Sequence, residues 1–177
     1  MIIRMGGRRL MRNLQELRMN KIYLALYKGN AKNWRERLED WLIKKATKGQ
    51  YSHCEIAIHR SRIYDHYHQE EWFECYSSSP RDGGVRCKTI NVSDRSKWDL
   101  VELPNVTEAQ IRFYFEITKG KKYDLWGALG VVLGFKQRGE RFFCSEWCFN
   151  AIFNSEQGWR FSPNQLAVIL NKKEMLR

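Results

Sequence analysis

A chain of 177 residues is long enough to bury a core of its own without disulfide or metal support. Its 43% hydrophobic and 14% aromatic content excludes a disordered chain, and 31 basic against 20 acidic residues, a formal +11 at pH 7, suit acidic partners such as nucleic acid, anionic lipid or an anionic polymer. A solvated basic surface accounts for the same charge, so the sign alone selects no function.

The first eighteen residues, "MIIRMGGRRLMRNLQELR", hold five arginines and one acid, Glu16, and lack the continuous apolar stretch of a secretory signal. Residues 1–19 therefore read as a basic N-terminal arm or an upstream extension, and residues 20–177, without repeat or linker, as a single domain. "KIYLALY" at 21–27 is a short apolar strand. Trp34, Leu38, Trp41 and Leu42 then recur at helical spacing, with Asn33 before them and Gly49 after, which predicts an amphipathic helix over 34–48. "YSHCEIAIH" at 51–59 reads as a strand with Cys54, Ile56 and Ile58 on one face and His53, Glu55 and Ala57 on the other. Three more strand candidates follow, "WFECYSS", "VRCKTINV" and "WDLVEL", separated by turn-rich "SPRDGG" and "SDRS", which predicts an antiparallel meander.

The second half is helical. Thr107 with Gln110 makes a capping-box pattern before Ile111, Tyr114 and Phe115, and Gly120 closes that helix. Asp124 caps a second helix through "LWGALGVVLGF" at 125–135, a run too short to span a bilayer. "CSEWCFNAIF" at 144–153 is a third, with Trp147, Cys148, Ala151 and Ile152 on one stripe. Ser162, Pro163 and Gln165 give a cap, a first-turn proline and a capping-box partner for "NQLAVIL". The order of strand, helix, meander and helices predicts an α+β fold and a soluble protein.

The five cysteines, at 54, 75, 87, 144 and 148, are odd in number and accompany no export signal, which predicts reduced thiols in a cytoplasm. The three in strand-like segments read as small core residues. No C-x2-C pair exists, so neither a metal nor a cofactor is expected. Cys144 differs from the others because it lies where a helix begins, and the dipole and unpaired amides there favour thiolate over thiol. A facing imidazole strengthens that effect, and His53 on its strand is the candidate. Glu55, two residues on and on the same face, is a candidate to orient the ring, and Glu74 on the next strand is its rival. A core-filling cysteine and a histidine satisfied by hydrogen bonds are the bland alternatives. Ser52 and Ser145, flanking the two principals, are expected to shape a turn and to cap the helix. The three serines of "SSSPRDGGVR" belong to a turn, and Lys119, Lys121, Lys122 and Tyr123 form a basic helix end open to a polyanion.

Four motifs, in order, resemble a known family. "SHCEIAI" is similar to the histidine strand, "KYDLWGAL" to the start of a helix, "FFCSEW" to the nucleophile segment and "SPNQL" to the trailing helix of circularly permuted NlpC-type papain-like cysteine hydrolases, over roughly residues 21–170. In that branch the histidine strand precedes the cysteine helix, as His53 precedes Cys144. The resemblance implies a permuted papain-like fold, an antiparallel meander packed against helices, with Cys144 as nucleophile, His53 as general base and Glu55 as the orienting group. It implies a cysteine peptidase or amidohydrolase of bacterial or bacteriophage type, acting on peptide or amide substrates such as peptidoglycan through an acyl-enzyme. Without an export signal, such an enzyme reaches a cell wall by a phage lysis or injection route. Acyl hydrolysis or transfer on lipids or thioesters, and an inert basic binding module, are the alternatives.

Overall fold

The computed structural model describes residues 21–29, 34–47, 49–63, 69–124, 127–128 and 141–175. Seven strands form one sheet: β1 (Ile22–Tyr27), β2 (His53–Ile63), β3 (Gln69–Ser79), β4 (Gly84–Thr89), β5 (Trp98–Glu102), β6 (Lys122–Tyr123) and β7 (Arg141–Phe142). The helices are α1 (Trp34–Thr47), α2 (Glu108–Thr118), α3 (Cys144–Phe153) and α4 (Pro163–Met175), with a 3-10 turn at Gly158–Arg160. The α+β class expected from the element order is the architecture observed.

The strands lie in the order β5-β1-β2-β3-β4-β6-β7, antiparallel except for β6 beside β7. The meander holds from β2 to β4, but β5 leaves it and pairs with the far edge of β1. Two contacts favour that edge. Trp98 falls opposite Tyr27 with ring centroids 4.9 Å apart, and Val101 joins the core opposite Leu24. The edge of β4 that β5 leaves is taken by β6, with the Val85 amide donating to the Lys121 carbonyl.

Alternation along the strands divides the side chains as the sequence predicts. Leu24, Leu26, Cys54, Ile56, Ile58 and Tyr76 face the larger core, against Ile111 of α2, Trp147, Cys148 and Ala151 of α3, and Leu166 and Leu170 of α4. Ala25, Tyr27, Ala57, Cys75 and Trp98 line the other face with Val92. The stripe on α3 is buried throughout. Of the stripe predicted for α1, Trp34 and Trp41 are exposed, with Lys45 Nζ 4.6 Å from the Trp41 ring, while Asp40 is buried; the side chains of Leu38 and Leu42 lie outside those described. Cys87, read as a core residue, is exposed, because β4 runs out of the core after Val85.

The predicted caps hold in part. The Gln110 amide bonds Thr107 Oγ1 at 3.2 Å, but the Gln110 side chain turns instead to the Ala151 and Ile152 carbonyls, tying α2 to the end of α3. Gly120, at φ 78°, ends the turn that follows α2. At α4 the box is reciprocal, Gln165 N–H to Ser162 Oγ and Ser162 N–H to Gln165 Oε1. Asp124 Oδ1 accepts from the Gly127 amide at 2.8 Å, as a cap should. The rest of the predicted helix over 125–135 lies outside the described residues, as do the basic arm of 1–19 and His66 and His68. No helix among the described residues is long and apolar enough to cross a membrane.

Candidate active site

β2 begins at His53 and α3 begins at Cys144, and the larger core joins the two starts: Cys54 and Cys144 lie in one buried cluster with Cys148, whose thiol points at the Cys54 carbonyl. The His53 and Cys144 side chains are near enough for each to shift the other's titration. The imidazole Nε2 is engaged by Glu55 Oε1 at 2.9 Å, so Nδ1 is the ring nitrogen not taken by that carboxylate. The histidine side chain keeps 17% of its surface exposed, on the side of an open cleft, while Glu55 is buried.

The carboxylate in the middle of the sheet is held by a residue that sequence reasoning did not single out. Arg86 of β4 donates through Nη1 to Glu55 Oε2 at 2.6 Å and through Nη2 to Oε1 at 2.5 Å, and its Nε bonds Asp82 at 2.8 Å. The register explains the reach. Ser77 of β3 stands opposite Arg86, and continuing the pairing of Ile56 with Tyr76 by one step places Ser77 beside Glu55 as well. A serine there, folded down onto the Cys54 carbonyl at 2.8 Å, is small enough for the guanidinium to pass over. The signal was present in the sequence as a lone arginine in an otherwise strand-like segment, but choosing its partner requires the register.

Glu74, the rival orienter, lies on the opposite face of the sheet. It pairs with Ile58, which faces the larger core, and it is bound by Arg60 at 2.8 Å, Arg112 at 3.0 Å and the Tyr76 hydroxyl at 3.2 Å. With Glu108 it forms a rim network that fastens α2 to the sheet, remote from His53. His59 is half-buried, its ring tilted against Phe73 with Nε2 3.4 Å from Glu71, and takes no part. The serines of the β3–β4 segment are structural: Ser77 and Ser78 bond the Cys54 and Phe142 carbonyls.

Electrostatics polarise the pair. Burial works against a charged His53, but the charge and hydrogen bond of the Cys144 sulfur, then those of Glu55, outweigh it and raise the imidazole to about 10. The neighbouring Cys54 thiol does most to favour ionisation of Cys144, burial opposes it, and the His53 charge adds to the fall, so the thiol lies well below its usual value. Cys54 itself is pushed up by burial and by its sulfur neighbours, so it stays a protonated donor. Burial of Glu55 is outweighed by Arg86 and His53, and the carboxyl stays below the ordinary range. All four shifts run in one direction, toward thiolate, imidazolium, carboxylate and guanidinium in sequence.

Glu146, one turn into α3, behaves in the opposite way. It is 7% exposed, burial raises it to about 7 against a hydrogen bond from the Phe143 amide, and the charge of Asp124 adds to the rise. One of its oxygens has no hydrogen-bond partner.

The cleft beside His53 encloses about 420 Å³. Tyr27, Trp98 and Ile90 give it apolar walls, and Asp40 and Ile43 of α1, with Arg81 and Lys88, line its rim. Such a mixed, concave surface can seat a polar chain beside His53. No protein family, curated protein or solved structure matches this chain.

Proposed function

We propose that the chain is a cysteine hydrolase of permuted papain-like, NlpC-type architecture that cleaves amide bonds through an acyl-enzyme, with peptides such as those of the bacterial cell wall as its substrate class. The observation that carries this reading is the hydrogen-bonded chain from Arg86 through Glu55 to His53, set beside the start of α3 where Cys144 and the ring shift each other's titration. A histidine that merely filled space would not need a buried carboxylate clamped by an arginine from two strands away.

In this reading Cys144 attacks a substrate carbonyl carbon, a C–S bond forms, and the carbonyl π pair moves onto oxygen. Collapse of that intermediate breaks the C–N bond, and the imidazolium of His53 gives its proton to the departing nitrogen. Water then attacks the thioester with neutral His53 taking one of its protons; the acid leaves, and the ion pair is restored. Glu55 keeps the ring in one orientation and stabilises its charged form, and Arg86 keeps Glu55 ionised. The +11 charge suits an anionic wall polymer as the surface on which such peptides are presented.

The test is site-resolved alkylation of the five cysteines against pH, in the parent and in His53→Ala, followed by matched peptide and ester substrates. Rapid reaction of Cys144 alone, well below the ~8.5 of a free thiol and lost in the variant, is the expected result. Cleavage of esters but not peptides would move the assignment to acyl hydrolysis. Ordinary reactivity at Cys144 would leave a binding module whose affinity for polyanions falls with salt.

A further inference from the structure

Neither Ser52 nor Ser145 does what its sequence position predicts. The residue before α3 is Phe143, which offers no side-chain cap, and the Ser145 hydroxyl bonds nothing in the helix. Ser52 is fixed through its backbone, its amide donating to the Tyr27 carbonyl at 3.0 Å, while its hydroxyl also lacks a partner. Both side chains are buried, at 2% and 0% exposure.

An unpartnered buried hydroxyl costs roughly 1–3 kcal/mol, so two of them together call for an explanation. Both line the same small cavity, and Cys144 lies on its wall with Phe143 and Pro163. The cavity measures about 10 Å³, room for about one water-sized oxygen. Gly29, at φ 71°, lies against the Ser52 side, where a Cβ would meet Lys44 Cε and Nζ at 2.7 and 2.9 Å and Ser52 Oγ at 3.0 Å. At Ser145 the cavity meets the first turn of α3, where backbone N–H groups have no intrahelical acceptor. The cavity is thus bordered by two hydroxyl donors and a helix N-terminus beside a nucleophilic sulfur, and it is sized for one oxygen atom.

We infer that Ser52 and Ser145 are oxyanion donors, their hydroxyls joining the first amides of α3 around the carbonyl oxygen of an acyl group under attack by Cys144. This rests on the thiolate chemistry proposed above and extends it to amide, ester and thioester carbonyls alike. As the C–S bond forms, the π pair settles on the oxygen and both hydroxyls donate to it without giving up their protons. When the leaving group departs with its bonding pair, the oxygen becomes a carbonyl again and the hydrogen bonds weaken. Donors left unsatisfied in the resting protein bind most strongly when that oxygen is most negative, which lowers the barrier and not merely the binding energy.

The experiment compares the parent with Ser52→Ala, Ser145→Ala and the double variant in three measurements: the acylation burst with p-nitrophenyl acetate, alkylation of Cys144 by iodoacetamide, and thermal unfolding. Alkylation displaces iodide at a methylene and develops no charge on a carbonyl oxygen. The expected result is an acylation rate lower by about 10²-fold per hydroxyl, with unchanged alkylation against pH and a melting temperature equal to or above the parent's. Parental acylation rates in the variants, with Cys144 still reactive, overturn the donor assignment alone. So does a parent whose Cys144 alkylates at low pH yet takes up no acetyl group, the smallest acyl group an oxyanion site must accept. A Cys144 with ordinary thiol reactivity in the parent overturns the thiolate reading itself, and this inference with it. Should Ser145→Ala not fold, Ser52→Ala carries the comparison.

Discussion

Arg86 grips both oxygens of Glu55 from two strands away, at 2.6 and 2.5 Å, across a serine that leaves room for it. A carboxylate 1% exposed is tolerable only with such a partner. The clamp has two effects: it keeps Glu55 charged, and it fixes where that charge meets His53 Nε2.

Arg86→Met therefore strands a buried carboxylate. At pH 7 the variant should lose roughly 3–5 kcal/mol of unfolding free energy, read from urea titrations. The sign with pH follows from the depressed carboxyl of the parent: the stability it contributes is present above the ordinary value of ~4.3 and is lost as pH falls through the lower folded value. The gap between parent and variant should narrow on acidification, since Glu55 in the variant becomes protonated. A gap that widens as pH falls is incompatible with the clamp.

Glu55→Gln and Glu74→Gln separate the orienter from its rival. Glu55 raises the His53 value and Glu74 has no contact with the ring. In Glu55→Gln the His53 titration, followed by the ring proton signals in NMR, should move down from about 10. In Glu74→Gln it should stay in place while the melting temperature falls, because the Arg60 and Arg112 network keeps Glu108 but loses its other carboxylate. Equal titrations in the parent and Glu55→Gln count against Glu55 as the orienting group.

Alkylation and turnover should part company at high pH. Cys144 is held below its usual value and His53 is raised to about 10, so the ion pair occupies the interval between the two titrations. Turnover of an amide needs the imidazolium proton and should fall as pH rises through about 10. Iodoacetamide needs only the thiolate, so its reaction should persist there. A common upper limit for both reactions would mean that the falling limb belongs to some other group.

Glu146→Gln should stabilise the protein, and increasingly so as pH rises above the ordinary carboxyl range. A carboxyl raised to about 7 by burial favours the protonated form in the folded state. Stability is therefore lost as pH rises from ~4.3 toward 7, and the loss stays constant above that. Removing the charge should restore on the order of 3–4 kcal/mol at pH 8 and change little at pH 4, as thermal melts at the two pH values will report. Equal effects at both values would show that Glu146 stays charged throughout.

Local physics made much of this protein legible in its sequence. Alternation in "YSHCEIAIH" placed Ile56 and Ile58 in one core and His53 with Glu55 on the other face, because the pleat has a period of two wherever the strand lies. The buried stripe of α3 and the reciprocal box at Ser162 and Gln165 follow likewise from spacings of three and four residues. The start of α3 at Cys144 was equally readable. Only the tertiary structure decided which strands adjoin: β5 crosses to β1, and the register across β3 chooses Arg86 for Glu55 and sends Glu74 to the opposite face. Buried Asp40, exposed Trp34 and Trp41, and the unpartnered hydroxyls of Ser52 and Ser145 belong to the same category. Their surroundings come from chain segments far away in sequence, and a period written along one element carries no information about what will pack against it.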